Sequence, residues 1–98
     1  MMKTLEEIKS ILQANSLDIC QRFRVTEMRV FGSYARRQQT ALSDVDILIG
    51  YEQAPTLWML VELKDHLENL LKVKVDVVTE KGLKPRLRDR VLAEAVKV

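Results

Sequence analysis

The sequence is poor in the residues that staple and punctuate a chain: one cysteine, two prolines and three glycines in 98 residues. With Cys20 alone, no internal disulfide can form, and neither a disulfide framework nor a structural zinc cage is indicated. It also lacks a long apolar run. Nothing approaches the ~20 residues needed to cross a bilayer. The opening MMKTLEEIKS is charged and has no apolar signal-peptide core, so a cytoplasmic protein without membrane attachment is expected. Charge of one sign is lacking as well. A net charge of +2 is too small to imply a protein that wraps nucleic acid, and direct nucleic-acid binding is not expected. What remains is ordinary for a soluble globular chain, with 47% hydrophobic and 31% charged residues. No repeat, low-complexity segment or interdomain linker is visible, and residues 1–98 read as a single domain.

Helical and extended patterns alternate. Leu5, Ile8, Ile11 and Leu12 have helical spacing with Thr4 as N-cap. Asn15-Ser16 is predicted to interrupt that helix, and Ser16 to cap a second short one carrying Leu17, Ile19, Cys20 and Phe23. Met28 to Phe31 reads as a strand running into Gly32, and Ser33 to Gln39 as the first turns of a helix. Asp44 to Ile49 reads as a strand, and Gly50 to Pro55 as a loop. Thr56 then caps a long helix whose predicted inner face is Leu57, Leu60, Leu63, Leu67, Leu70 and Leu71. Lys72 to Thr79 is a third strand, Lys81-Gly82 a turn, and Leu83 to Ala95 a last helix ending in a short extended tail.

Two acids stand where strand chemistry argues against them. Asp is depleted in strands, and a buried carboxylate is costly unless it is paired or binds a metal. Residues two apart in a strand share a face, so Asp44, Asp46 and Leu48 point one way while Val45, Ile47 and Ile49 point toward a helix-covered core. In the third strand Asp76 likewise lies opposite Val73, Val75 and Val77. If the two strands are neighbours, three carboxylates converge, and such a cluster takes up protons unless cations are present. Hard oxygen ligands on rigid strands suit magnesium, which keeps several waters and bridges substrate phosphates.

The preceding segment supplies an anion-binding half. Gly32 allows close approach to the backbone, Ser33 adds a hydroxyl, and the first N–H groups of the following helix are free donors. A triphosphate held there, with magnesium on Asp44 and Asp46, makes a coherent phosphoryl- or nucleotidyl-transfer site. Two metals would neutralise charge at phosphorus and lower the pKa of the attacking hydroxyl. Asp76 would bind the second and help deprotonate the nucleophile.

Gly32-Ser33, ten residues, then Asp44-Val45-Asp46 resembles the signature of the polymerase-β-like nucleotidyltransferase superfamily. Within it, "FGSYAR" followed by "SDVDILI" is similar to the minimal nucleotidyltransferases, small prokaryotic domains often encoded beside a HEPN-type helical protein as an antitoxin–toxin pair. The resemblance runs from Leu5 through "LKPRLRDRVLAEAVKV". It implies an α+β nucleotidyltransferase fold, a small mixed sheet backed by helices on one face with the site on the open side. It implies transfer of AMP from ATP with release of pyrophosphate, to a tyrosine hydroxyl on the HEPN-type toxin in a hetero-oligomer. Asp44, Asp46 and Asp76 correspond to the metal-binding and catalytic carboxylates, and Gly32, Ser33 and Arg36 to the nucleotide- and phosphate-binding positions. Family members usually read Gly after the Ala-Arg, where this chain has Arg37.

Each residue also has an ordinary reading. Asp44 alone fits a turn before a strand, Asp76 a surface pair with Lys72 or Lys74, and Ser33 a helix cap. Arg36 serves equally as phosphate ligand or loop brace. His66 reads as solvent-facing, Cys20 as a small core residue, and Trp58 and Met59 as core or as an exposed partner patch. The basic set Lys81, Lys84, Arg86, Arg88 and Arg90 reads as a solvated helix face, or as a docking surface for an acidic partner. A chain this short has no room for a domain that grips its own acceptor, which favours a protein acceptor held by a separate subunit. Alternative functions are a non-catalytic antitoxin acting by contact, and a nucleotidyltransferase acting on a small molecule or an RNA end.

Overall fold

A computed structural model describes residues 3–98. Its elements are α1 (Leu5–Phe23), β1 (Val25–Phe31), α2 (Gly32–Ala35), β2 (Val45–Tyr51), α3 (Leu57–Leu71), β3 (Val75–Thr79), a 3-10 turn (Glu80–Gly82), α4 (Pro85–Glu94) and β4 (Val96–Lys97). The sheet order is β3-β2-β1-β4. β1 runs antiparallel to β2 and β4, while β2 and β3 are parallel, joined by the α3 crossover. The sheet is therefore mixed, as expected, and the extended tail predicted after the last helix forms its edge strand.

The caps read from the sequence are present. Thr4 accepts from the Glu7 N–H while the Glu7 carboxylate accepts from the Thr4 N–H, a reciprocal capping box. Thr56 accepts from the Met59 N–H to open α3. With glycine scarce, α1 and α3 are both closed by non-glycine residues in the left-handed region, Arg24 at φ 57° and Lys72 at φ 58°.

The predicted break at Asn15-Ser16 does not occur; α1 is one helix of 19 residues, and Ser16 is not a cap. Asn15 Nδ2 donates to the Ile11 carbonyl and Ser16 Oγ to the Gln13 carbonyl, so both side chains bond back onto the preceding turn rather than ending it. After β1, α2 is a single turn of four residues, not a helix reaching Gln39.

One face of the sheet carries the core. Met28, Val30, Val45, Ile47, Ile49 and Val75 pack against Ile8, Leu12, Ile19 and Phe23 of α1 and Leu63, Leu67 and Leu71 of α3. Leu57, predicted to face inward, is 79% exposed beside Trp58 at 72%; the buried residues of α3 are Leu63, Leu67 and Leu71, all beyond its first turn. Leu60 and Leu70 are partly buried, as is Cys20. His66 is not solvent-facing: its ring lies 5.4 Å from that of Phe23, tilted across it, and it shares a hydrogen bond with Arg22. Among the described residues no helix is long and apolar enough to cross a membrane.

Candidate active site

The parallel pairing of β2 with β3 decides where the acids go. Asp46 is the register partner of Asp76, and Val45, Ile47 and Ile49 pair with Val75, Val77 and Thr79. Register partners project to the same side of a sheet. Two further bonds fix this alignment: the Val45 N–H donates to the Lys74 carbonyl at 2.9 Å, and the Val75 N–H donates to Glu68 Oε2 of α3 at 2.9 Å. On the other side, Asp46 is opposite Phe31, the residue before Gly32. Asp44 sits one residue before β2, exposed, so it stands at the strand's mouth rather than within it.

Asp46 is the acid at the centre of this face. It is half-buried, and its pKa is pushed up to about 6, first by loss of hydration and then by the Asp76 and Asp44 carboxylates, while Arg36 pulls the other way. The three carboxylates thus sense one another. Among the described residues, however, no group of three or more acids, histidines or cysteines stands ready as a metal cage. Magnesium rarely needs one, being held by one or two carboxylates together with substrate phosphates and water.

Gly32 is required by this packing. A Cβ there would stand 2.1 Å from Asp46 Oδ2, and the residue has φ +72°, where side chains are strained. The backbone of the Gly32–Ser33 turn is therefore seated directly on the Asp46 carboxylate. Ser33 is half-buried in that turn, and Tyr34 is buried at 2% exposure. Burial, followed by the negative Asp44, raises the Tyr34 hydroxyl above its ordinary pKa, so it stays neutral and packs rather than reacts. Because α2 is one turn long, little helix dipole is available, and anion binding here falls to individual N–H groups and side chains.

The two arginines after α2 diverge. Arg36 turns toward the acids: its Nη1 lies 3.1 and 3.2 Å from the two carboxylate oxygens of Glu94, and its Nε donates to Gln38 Oε1. Arg37 turns away and pairs with Glu6 of α1. Arg37 itself adopts φ +58°, which explains why a glycine suits this position. The left-handed backbone is what the site needs, and the arginine supplies it at a conformational cost. Beside Asp44 opens a cleft of about 720 Å³ lined by Tyr34, Leu42, Ser43, Lys72, Val73 and Lys74 among others, large enough for a nucleoside.

Sequence reasoning did not single out Glu94. Besides accepting from Arg36 Nη1, it accepts from the Gly32 N–H at 3.2 Å. Its one sequence signal is an acid in the last turn of a helix, which the helix dipole disfavours.

Comparison with known proteins gives the family and the fold. The model of the nucleotidyltransferase domain family matches residues 5–98. The protein adenylyltransferase MntA of Thermococcus cleftensis is 46% identical over 97 residues, covering 99% of this chain and 98% of that protein. A solved structure described as a minimal nucleotidyltransferase superposes with a TM-score of 0.83 at 43% identity, over 98% of this chain and 97% of that one. A chain from the Shewanella oneidensis complex of a tri-AMPylated HEPN toxin with its MNT antitoxin shares the fold, with a TM-score of 0.67 at 18% identity, over 90% of this chain and 69% of that one. The Gly32–Ser33 turn seated on Asp46, with Asp76 aligned beside it, is thus found in a chain that belongs to the nucleotidyltransferase domain family, as one of its minimal members.

Proposed function

We propose that this nucleotidyltransferase moves AMP from ATP to a tyrosine hydroxyl of a HEPN-type helical partner in the cytoplasm, with magnesium, and so acts as the partner's antitoxin. The observation that carries the reading is the Asp46–Asp76 alignment on a sheet face whose neighbouring turn must be glycine. Similarity to the Thermococcus adenylyltransferase supports a protein acceptor, and the AMPylated toxin of the Shewanella complex supports its class.

The donor set fits a hard divalent cation: carboxylates alone, one of them, Asp46, with its pKa raised by burial and then by the other two. Asp44, Asp46 and Asp76 would hold it, two ions being the expected number. Bound magnesium supplies charge neutralisation at the transferred phosphorus and its leaving oxygen. The chain's own groups do the rest. Ser33 and the Gly32 turn receive the triphosphate, and Arg36 offers it a guanidinium. Asp76, exposed at the edge of the site, takes the proton from the acceptor hydroxyl as its oxygen bonds to the α-phosphorus. The bond from that phosphorus to the bridging oxygen breaks, and pyrophosphate leaves.

The test combines the purified chain, magnesium, α-labelled ATP and its co-purified helical neighbour, followed by intact-mass spectrometry. An adenylyl increment on the neighbour, abolished by Asp44→Asn plus Asp46→Asn, is the expected result. Neutralisation that persists in the double variant would instead establish a contact antitoxin, and label on a small molecule or RNA end would move the acceptor to that class.

A further inference from the structure

The C-terminal segment closes a ring around the nucleotide turn. β4 pairs with β1 through Val96↔Val30 and Lys97↔Arg29, and the Val98 N–H donates to the Met28 carbonyl at 3.1 Å. Two residues before β4, Glu94 reaches back across the end of β1. It accepts from the Gly32 N–H, and both its oxygens accept from Arg36 Nη1. The opening of α2 has no local side-chain cap, so Glu94, 62 residues away, satisfies its first donor. The Glu94 side chain is only 23% exposed, and Arg36 is its cationic partner. Without Arg36, a carboxylate would be left in the last turn of α4 and beside the Asp46 face. Without Glu94, Arg36 Nη1 would lose the carboxylate whose two oxygens both accept from it, and only the Nε bond to Gln38 would hold the guanidinium.

We propose that Glu94 is a positioning residue for nucleotide transfer: it locks the Gly32 turn through its N–H and aims Arg36 at the incoming triphosphate. This rests on the nucleotidyl-transfer reading and adds to it the residue through which the C-terminal strand holds the site in shape.

The decisive experiment is a double-mutant cycle on the KM for ATP. Glu94→Ala should raise KM about tenfold, the scale of one lost hydrogen bond to a charged group, with a smaller change in kcat. Glu94→Gln keeps an acceptor for Gly32 but loses the charge facing Arg36, and should fall between. Arg36→Ala combined with Glu94→Ala should be no worse than the more damaging single change, since the two act as one unit. Additive effects would overturn the proposal. So would a lower KM in Glu94→Ala, which would mean that the carboxylate stands where phosphate must go. Amide exchange of Gly32 in the nucleotide-free chain is the readout independent of activity. It should be about tenfold faster in Glu94→Ala, and unchanged exchange would disprove the clamp. A wild-type chain that transfers nothing would refute the functional reading, while Gly32 exchange would still decide the clamp.

Discussion

The two faces of β2 are made from alternate residues of one strand, yet they obey opposite rules. On the inner face Val45, Ile47 and Ile49 are at most 1% exposed and belong to the apolar core. On the outer face Asp46 is half-buried beside two more acids, with its pKa pushed up to about 6. The inner face stabilises the chain; on the outer face Leu48 is buried as well, at 3% exposure, but the acids beside it cost stability, which the apolar layer offsets. Function here is a local charge conflict mounted on a rigid apolar layer.

Substituting adjacent residues separates the two faces most sharply. Asp46→Asn should lower nucleotidyl transfer by about a thousandfold or more, because it removes a group acting at the transferred phosphorus. The fold should survive it. Ile47→Ala, one residue away, should do the reverse, losing about 3 kcal/mol of stability to the cavity it leaves while the folded fraction keeps near-normal kcat. Urea unfolding and single-turnover transfer on both variants test the pair. If Asp46→Asn unfolded the chain, or Ile47→Ala abolished turnover in folded protein, the division between the faces would be wrong.

Gly32→Ala should come next. Its Cβ would meet Asp46 Oδ2 at 2.1 Å and its φ of +72° is unfavourable to alanine, so the turn and the carboxylate must move apart. Stability should fall by about 1–2 kcal/mol, and transfer by about a hundredfold from displacement of the reacting groups. Gly32→Ala in an Asp46→Asn background should cost no less stability, since the amide is no smaller than the carboxylate. A markedly smaller loss there would show charge, not volume, to be the conflict.

The acid cluster also sets a pH dependence. In the metal-free fold the Asp46 pKa is raised from 3.8 to about 6, so its charged form is disfavoured relative to the unfolded chain. The associated stability is fully present below about pH 4 and is lost as pH rises through about 6. Asp46 is half-solvated, so the full shift is discounted, and Asp46→Asn should stabilise the metal-free chain at pH 7.5 by about 1 kcal/mol. Magnesium should stabilise the wild type at that pH and much less the variant. Thermal melts across pH with and without the ion check this, and a wild type indifferent to magnesium would count against the carboxylates as its site.

Much of this was readable because it is local. Threonine caps, the valine alternation of β3 and the misplaced acids of β2 each follow from short-range periodicity. What escaped has long-range or conformational causes. Asn15 and Ser16 look like breakers until their side chains are seen bonding back to the previous turn. Leu57 fits the helical stripe but is exposed, because α3 buries only its later turns, at Leu63, Leu67 and Leu71, and that depends on where the helix docks. Glu94 is bound to a turn 62 residues away. No spacing rule reaches that far. The left-handed backbone at Arg37 was masked by the residue that occupies it.

That residue gives the finest test of the comparison, because Arg36 and Arg37 are neighbours assigned to different sides. Arg37 pairs with Glu6, whose carboxyl it holds below the usual range through their hydrogen bond, and both side chains are well exposed. Arg37→Gly relieves the left-handed strain of about 1 kcal/mol but returns a similar conformational freedom to the unfolded chain. Stability should therefore change by less than about 0.5 kcal/mol, with kcat and the KM for ATP unchanged. A raised KM would mean that the Arg37 guanidinium swings from Glu6 to the triphosphate. That result would move the boundary of the site outward by one residue and make the arginine, rather than the backbone it strains, the functional feature of this position.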